Sequence, residues 1–365
     1  MKKKKILWVI HNFYQNGITM FIINFFSKIN LEKYEYILCI SGNKIEQTLV
    51  KEINNLGVKV IFAPCRQKNV ISYFFYIMAC IKKDHIDAIH VHGNSSSISL
   101  DLLAAKLGGV KICIAHSHNS DCSIGILNKV LRPFLLMLCD YGIACSQEAA
   151  NNMFGAKRRK KSCLILKNGI NIEQFIYDEA GRENLRNEWN INEHTIVLGH
   201  VGVFNSQKNQ QFLLPILKEL IKSNPNYRLV LVGDGEKREI IQENAKNEGL
   251  SEYIIFTGKR DDVNKVMSAI DIFLFPSIFE GLGIVAIEAQ AEGLPCLLSS
   301  EVPSIAKILY TTEFIELEQV AWVNAIKKIN IGRVNDGNML VRNSGWDIND
   351  CVKELEGFYL AAIGS

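Results

Sequence analysis

The chain has 365 residues with 48% hydrophobic and 22% charged residues and a net charge of +3. This composition excludes a disordered or low-complexity protein, and the length predicts two domains. No apolar stretch reaches the roughly 18 residues that a bilayer-spanning helix needs. The apolar run at residues 6–10 is shorter than the h-region of a secretory signal, so we expect a cytoplasmic protein.

The predicted elements alternate along the chain between short apolar runs and amphipathic stretches of helical length. In the first half the runs are 5–10, 36–40, 58–63, 88–92, 110–115, 141–145 and 163–166. In the second half they are 195–201, 228–232, 253–257, 271–275 and 296–299. Helices are expected between them, for instance at 18–28 and 97–107. Since apolar strands need helices on both faces, the pattern predicts an α/β fold with two doubly wound parallel sheets.

A domain boundary is predicted at Lys167-Asn168-Gly169, a turn-forming segment after the last strand of the first half. We assign residues 1–167 to an N-terminal domain and residues 168–349 to a C-terminal domain. A helix at about 350–365 is expected to pack back on the first domain.

Charge also divides the chain near this boundary. Residues 1–166 contain 22 basic and 10 acidic side chains, a net charge of +12, whereas the rest contain 19 and 28, a net charge of −9. We therefore expect different partners for the two halves. The run Lys157–Lys161 is ordinarily a solvated loop, but within the basic half it favours a partner. For the apolar stretch 70–81, a core helix is favoured over a lipid-binding patch.

Ligands of open α/β sheets bind beyond the carboxyl ends of the strands, so the turns there are the candidate sites. Gly17 opens a helix after the first strand and can bring its N–H to an anion, although an ordinary loop glycine explains it equally well. Gly233 belongs to a Gly-x-Gly pattern, which by itself is weak evidence for a nucleotide-binding turn. Lys208 is expected in the first turn of a helix capped by Asn205 or Ser206. A cation there is unfavourable without a bound anion, which favours phosphate binding.

The most informative segment follows the strand at 271–275. Glu280 lies at the tip of a short loop, and Gly281-Leu282-Gly283 allows the backbone to come close to a ligand. Glu288 comes roughly two helical turns later if a helix covers the interval. Carboxylates there can accept hydrogen bonds from sugar hydroxyls, while helix N–H groups hold phosphate. The alternative for Glu280 is an acidic residue that interacts favourably with the dipole at a helix N-terminus. The alternative for Glu288 is a solvated helix residue.

Together these segments resemble the retaining glycosyltransferases of family 4, closest to bacterial enzymes of capsular and exopolysaccharide synthesis. The similarity is carried by the two glutamates and by segments 116–119, 144–146, 167–170, 199–209, 231–236 and 256–263. It covers nearly the whole chain. The resemblance implies a GT-B fold, in which two Rossmann-like domains face a cleft. The nucleotide sugar then lies mainly on the C-terminal domain and the acceptor mainly on the N-terminal one.

The resemblance also implies roles for individual residues. Glu280 would bind hydroxyls of the donor sugar, Glu288 the ribose, and Lys208 the diphosphate. His116 matches a position near the reacting centre and joins Glu280 and Lys208 as a catalytic candidate. The further donor-binding candidates are Gly17, Gly233, Lys259, Arg260, Gly281, Leu282 and Gly283, with the pair 259–260 in the loop that holds the base. The weaker acceptor-side candidates are His92, His118 and Asn119.

The function implied is retaining transfer from a nucleotide diphosphate sugar, a UDP-hexose or UDP-HexNAc, to a lipid-linked saccharide. We expect no metal and no other cofactor, since positive side chains and helix N-termini can stabilise the leaving diphosphate. The partners expected are the donor, the lipid-linked acceptor and, through the basic half, an anionic surface at the inner face of the cell membrane. No nucleic acid is expected.

One position departs from the family, because Val203 stands where an arginine usually joins the lysine on the diphosphate. A lost cation in a cleft costs several kcal/mol of transition-state stabilisation, judged from roughly 3 to 4 kcal/mol for one oxyanion donor. The alternatives are therefore a nucleotide-sugar-binding subunit with little catalysis, or a nucleotide-sugar epimerase on the same fold. A nicotinamide-dependent oxidoreductase is disfavoured, because no Gly-x-Gly-x-x-Gly follows the first strand.

Overall fold

The computed structural model describes residues 3–119, 126–155 and 163–364. The chain forms two compact units. The first unit is Met1–Gly169 together with Ile348–Ser365, and the second is Ile170–Asp347. The run Lys157–Lys161 lies outside the described residues.

The strands are β1 Lys4–Ile10, β2 Tyr34–Ile40, β3 Lys59–Phe62, β4 Ala88–His92, β5 Ile112–Ser117, β6 Tyr141–Ala144, β7 Cys163–Ile165, β8 Ile196–Val201, β9 Tyr227–Val232, β10 Ile254–Gly258, β11 Ile272–Phe275, β12 Cys296–Ser299 and β13 Thr312–Ile315. The helices are α1 Gly17–Phe26, α2 Gln47–Asn55, α3 Val70–Asp84, α4 Ser99–Gly108, α5 Ile126–Leu138, α6 Gln147–Phe154, α7 Glu179–Glu188, α8 Leu213–Ser223, α9 Arg238–Asn247, α10 Val263–Ala269, α11 Ile284–Ala291, α12 Gln319–Lys328, α13 Gly337–Val341 and α14 Ile348–Ile363.

Within the described residues, each unit contains one parallel sheet. The first sheet has the strand order β3-β2-β1-β4-β5-β6-β7, and the second has the order β10-β9-β8-β11-β12-β13. The predicted α/β class with two doubly wound sheets is confirmed. In each sheet the strand order reverses beside the first strand, between β1 and β4 and between β8 and β11. Loops at such a switch point diverge and leave a crevice for a ligand.

Helices cover both faces of the first sheet. Since parallel connections are right-handed, the connections that run from β3 to β6 place α3, α4 and α5 on one face, and α1 and α2 lie on the other. Helix α4 packs between α3 and α5, and α1 packs against α2 and α14. Trp8, Phe21 and Tyr359 belong to the core of this unit. A separate core in the second unit contains Phe204 and Trp322.

The structure differs from the sequence-based prediction at two elements. Strand β13 was not predicted, because its four residues include only two apolar ones at the edge of the sheet. Helix α3 was expected to be a core helix, but it buries Tyr73 and Ile77 and leaves Ile71 and Phe75 exposed. Across the described part of the chain, no helix combines the length and the apolar character needed to cross a bilayer.

Candidate active site

Two loops meet at the switch point of the second sheet, one after β8 and one after β11. The backbone N–H of Ile278 donates to the carbonyl of Gln207 (2.8 Å), and the Gln207 side chain donates to the carbonyl of Phe279 (3.1 Å). The Asn209 amide donates to the carbonyl of Pro276 (3.1 Å). These three hydrogen bonds hold the loops together and fix the side chains they carry.

The position of Lys208 is set by a turn rather than by a helix. Its backbone N–H donates to Oδ1 of Asn205 (2.9 Å). Asn209 then adopts a left-handed conformation (φ 56°), and α8 begins only at Leu213, after one 3₁₀ turn. The prediction that Lys208 lies in the first turn of a helix is therefore wrong, because the Asn205 side chain closes a turn instead of capping a helix.

Lys208 and Glu280 form a mostly buried ion pair. Nζ of Lys208 lies 2.6 Å from Oε1 of Glu280, and the two side chains are 18% and 7% exposed. The ammonium also lies 4.6 Å from the centroid of the Phe275 ring, a cation–π contact. Removing one partner of such a pair leaves an uncompensated charge in a poorly solvated place. The pair thus presents a cation and a hydrogen-bond acceptor side by side at the switch point.

Gly283 connects this loop to α11. Its φ of 72° is left-handed, and an added Cβ would lie 3.1 Å from Cε1 of Phe275, so both conformation and space favour glycine. The buried Leu282 precedes it, and Gly281 lies next to Glu280. Because α11 begins at Ile284, the interval between the two glutamates is only half helical.

Glu288 lies in the second turn of α11 and is mostly buried. Desolvation raises the pKa of its carboxyl to about 7. This carboxyl therefore ionises near neutral pH instead of near pH 4, which is unlike the solvated helix residue considered as the alternative. A hydroxyl donor would stabilise its charged form.

His200 is a site residue that the sequence analysis did not single out. It is fully buried at the end of β8, and its Nδ1 lies 2.9 Å from the carbonyl oxygen of Leu274. Burial lowers the pKa of His200 to about 4, so the ring is neutral and Nδ1 donates. Nε2 then carries a lone pair and has no partner in the described structure. The sequence signal that could have identified His200 is its position inside the 199–209 motif.

Gly233 and Gly235 have a packing explanation. Both adopt positive φ values, 130° and 154°. An added Cβ would overlap the carbonyl oxygen of Gly202 at the first and lie 2.5 Å from the Phe204 carbonyl oxygen at the second. The loop after β9 therefore needs these glycines to lie against the loop after β8, whether or not Gly233 also approaches a ligand.

Lys259 and Arg260, the two cations of the loop predicted to hold the nucleobase, differ in how free they are to bind a phosphate. Lys259 is exposed. Arg260 donates from Nε to Asp262 (2.7 Å) and from Nη1 to Glu188 (3.2 Å), and these carboxylates raise its pKa. Val203 is 46% exposed on the loop that holds Lys208. Arg260 is therefore already neutralised, and Val203 leaves room for a larger side chain.

In the first unit, Gly17 begins α1 immediately after its N-cap. Oδ1 of Asn16 accepts hydrogen bonds from the backbone N–H groups of Ile18 (3.0 Å) and Thr19 (3.1 Å). A Cβ added to Gly17 would meet nothing within 4 Å. Neither packing nor a positive φ thus explains this glycine, in contrast to Gly233.

A cluster of four histidines lies at the carboxyl ends of β4 and β5, with His118 directly after β5. Nδ1 of His92 lies 2.9 Å from Nε2 of His118, and Nε2 of His90 lies 3.1 Å from Nδ1 of His116. All four are buried, and burial lowers the pKa of each, that of His118 to about 3. The ring of His116 is fully buried, and its Nε2 has no partner in the described chain. The predicted residues His92, His116 and His118 therefore come together, whereas Asn119 is only partly buried after them.

The nitrogens of His90, His92 and His116 come within 4.8 Å of one another, which raises the question of a metal ion. The rings of His90 and His116 are nearly parallel, with 11° between their planes and 5.2 Å between their centroids. Both nitrogens of His90 are engaged, Nε2 with Nδ1 of His116 (3.1 Å) and Nδ1 with the Tyr359 hydroxyl (2.6 Å), whereas a metal needs free lone pairs that converge on one point at about 2.0–2.1 Å. A hydrogen-bonded set of neutral imidazoles fits this geometry better.

A second polar cluster of the first unit was not predicted. Nδ1 of His11, directly after β1, lies 2.7 Å from Oγ of Ser41, and its Nε2 contacts Arg66. Arg66 also pairs with the fully buried Asp101 (3.0 Å). His11 could have been found from its place after the first strand, but Arg66 lies in a turn between β3 and α3 and carries no local signal.

Both halves of the chain match known families. Residues 5–174 match the family described as Glycosyltransferase Family 4, and residues 181–329 match Glycosyl transferases group 1. Among curated relatives, the putative glycosyltransferase EpsF of Bacillus subtilis (strain 168) is 28% identical over 82% of this chain and 80% of its own. The Escherichia coli UDP-Gal:alpha-D-GlcNAc-diphosphoundecaprenol alpha-1,3-galactosyltransferase is 26% identical over 83% of this chain and 84% of its own.

A solved structure has the same fold. The crystal structure of Anabaena Alr3699/HepE in complex with UDP aligns with a TM-score of 0.80 at 16% identity. The alignment covers 98% of this chain and all of that one.

Proposed function

Because the chain belongs to the GT-B glycosyltransferases of family 4, we propose that it transfers a sugar with retention from a nucleotide diphosphate donor to a lipid-linked saccharide. The donor is a UDP-hexose or UDP-HexNAc. The product is an intermediate of capsular or exopolysaccharide synthesis. The observation that carries this proposal is the Lys208–Glu280 pair at the switch point of the second sheet.

The pair suits a donor that is anionic at one end and rich in hydroxyls at the other. Lys208 turns from Glu280 to the diphosphate when the donor binds, and Glu280 then accepts hydrogen bonds from the sugar. We assign Glu288 to the ribose, whose hydroxyls would donate to its desolvated carboxyl and stabilise the charged form. The backbone at Gly281-Leu282-Gly283 brings N–H groups to the phosphates.

The proposed reaction is a front-face displacement. The bond from the anomeric carbon to the diphosphate oxygen breaks while the acceptor hydroxyl attacks from the same side, and the hydroxyl proton passes to the leaving oxygen. Lys208 stabilises the charge that develops on the diphosphate, so the step needs no bound metal and no separate base. His116 is fully buried. We therefore propose that His116 supports the His92–His118 pair on the acceptor side and does not contact the sugar.

The lipid-linked acceptor is supported by the Escherichia coli relative, whose name describes a sugar on diphosphoundecaprenol. Such an acceptor is anionic and lies at a bilayer surface, which suits the net charge of +12 in residues 1–166. We propose that the enzyme works at the inner face of the cell membrane as a peripheral protein.

The donor assignment is tested with calorimetric titration of UDP and GDP and with a transfer assay on a lipid-diphosphate saccharide. Lys208→Ala should weaken nucleoside diphosphate binding about tenfold or more, because it removes the cation. Glu280→Gln should lower transfer strongly and leave diphosphate binding equal or tighter, since Lys208 is then no longer neutralised.

Lys218 and Glu248 provide a matched control, a more exposed lysine–glutamate pair of the same unit at 3.3 Å. Lys218→Ala and Glu248→Gln should bind and transfer like the wild type. The assignment would be refuted if Lys208→Ala and Glu280→Gln both transferred sugar and bound nucleoside diphosphates like the wild type. An altered nucleotide sugar released without acceptor would identify an epimerase, and donor binding without turnover would identify a binding subunit.

A further inference from the structure

The outer faces of α3, α4 and α5 carry large apolar side chains that the fold leaves uncovered. On α5 the exposed residues are spaced three or four apart, which places them on one side of the helix. Nine such side chains, each 39% to 82% exposed, define what we call the α3–α5 face: Val70, Ile71, Phe75, Leu103, Leu107, Ile126, Val130, Phe134 and Met137. Because α4 packs between α3 and α5 on one side of the sheet, these side chains lie on one helical layer.

The charge on these three helices is almost entirely positive. They contain five basic residues, of which Lys82, Lys83 and Lys129 are exposed. Only two carboxylates occur in them. Asp101 is fully buried beside Arg66, and Asp84 lies at the C-terminal end of α3. An anionic partner therefore meets cations and little like charge on this layer.

From this combination we infer that the α3–α5 face docks on an anionic phospholipid bilayer. Apolar side chains such as Phe134 enter the interface, and exposed lysines such as Lys129 extend to the headgroups. A second copy of the chain fits less well, since pairing two of these faces would bring cations against cations. The inference rests on the proposed function, because it assigns a surface to the membrane at which the lipid-linked acceptor lies.

The test is cosedimentation of the full chain with vesicles of phosphatidylcholine alone and of phosphatidylcholine with phosphatidylglycerol. The wild type should bind the anionic vesicles, and the bound fraction should fall as salt rises, since screening weakens attraction beyond about 8 Å at physiological ionic strength. Val130→Ser/Phe134→Ser/Met137→Ser should weaken binding about tenfold or more. Lys82→Ser/Lys83→Ser/Lys129→Ser should remove most of the preference for anionic vesicles.

Ile240→Ser/Val320→Ser/Met339→Ser is the matched control, because these exposed apolar residues lie in the second unit. It should bind vesicles like the wild type. The inference is overturned if Val130→Ser/Phe134→Ser/Met137→Ser, the α5 variant, binds vesicles as well as the wild type does. A wild type that binds neither kind of vesicle also overturns it. So does sedimentation equilibrium that shows a wild-type dimer and a monomeric α5 variant.

Titration with UDP and GDP separates this inference from the proposed function. The α5 variant should keep wild-type nucleoside diphosphate affinity, because none of its residues belongs to the donor site. Loss of vesicle binding with intact donor binding supports the docking surface. Absence of nucleotide binding in the wild type would instead count against the proposed function, whatever the vesicles show.

Discussion

With valine at position 203, Lys208 is the cation that the loop after β8 offers to the proposed diphosphate, and Arg260 on the loop after β10 is already neutralised by two carboxylates. We predict that Val203→Arg raises nucleoside diphosphate affinity, by about tenfold or less because the position is half exposed and solvent screens the charge. Calorimetric titration with UDP and GDP measures the change. Val320→Arg, at an exposed valine of the same unit, should have no effect. Unchanged affinity with a lower melting temperature would show that position 203 does not face the diphosphate.

Glu288 gives the fold a pH dependence of known sign. Burial raises its pKa to about 7 in the folded state from its ordinary 4.5. The folded state thus holds the proton more tightly, and this contribution to stability is complete below about pH 4.5 and lost as pH rises towards 7. We predict that Glu288→Gln raises the melting temperature relative to the wild type at pH 8 and that the difference shrinks towards pH 5. The same variant should bind UDP more weakly. A difference that is constant over this pH range would contradict the prediction.

The start of α11 depends on the conformation of Gly283. Gly283→Ala should cost about 1–2 kcal/mol in the free energy of unfolding, since φ is left-handed and the Cβ crowds Phe275. Gly357→Ala is the opposite case, because Gly357 lies exposed inside α14 with nothing within 4 Å of an added Cβ. It should stabilise by about 0.5–1 kcal/mol. Urea titration measures both, and equal signs for the two variants would refute the argument.

The two separate cores predict separable effects on unfolding. Tyr359 is fully buried in the first core, and its hydroxyl lies 2.6 Å from Nδ1 of His90. Trp322 is its counterpart in the second core. Each change to alanine should cost about 3–5 kcal/mol in its own unit. In calorimetry, UDP should restore stability to the unit weakened by Trp322→Ala and have little effect on the unit weakened by Tyr359→Ala.

Much of the fold follows from the sequence because local patterns determine it. Apolar runs such as 88–92 and 296–299 are strands in the structure with the predicted bounds, since buried parallel strands need continuous apolar residues. The edge strand β13 was not predicted because only two of its four residues are apolar. The motif at Glu280 indicated a turn for a local reason too, since the left-handed backbone at position 283 favours glycine.

Which of these side chains meet depends on tertiary contacts between distant segments. Lys208 and Glu280 are 72 residues apart and pair because β8 and β11 are neighbours at the switch point. The turn at Asn205, the orphaned nitrogen of His200 and the packing that explains Gly233 all depend on contacts between loops. The same holds for the α3–α5 face, because the sequence shows which residues of a helix are apolar but not which side its neighbours cover. Local sequence patterns thus specify the elements and the family, whereas the packing of distant segments sets the candidate site and the exposed surface.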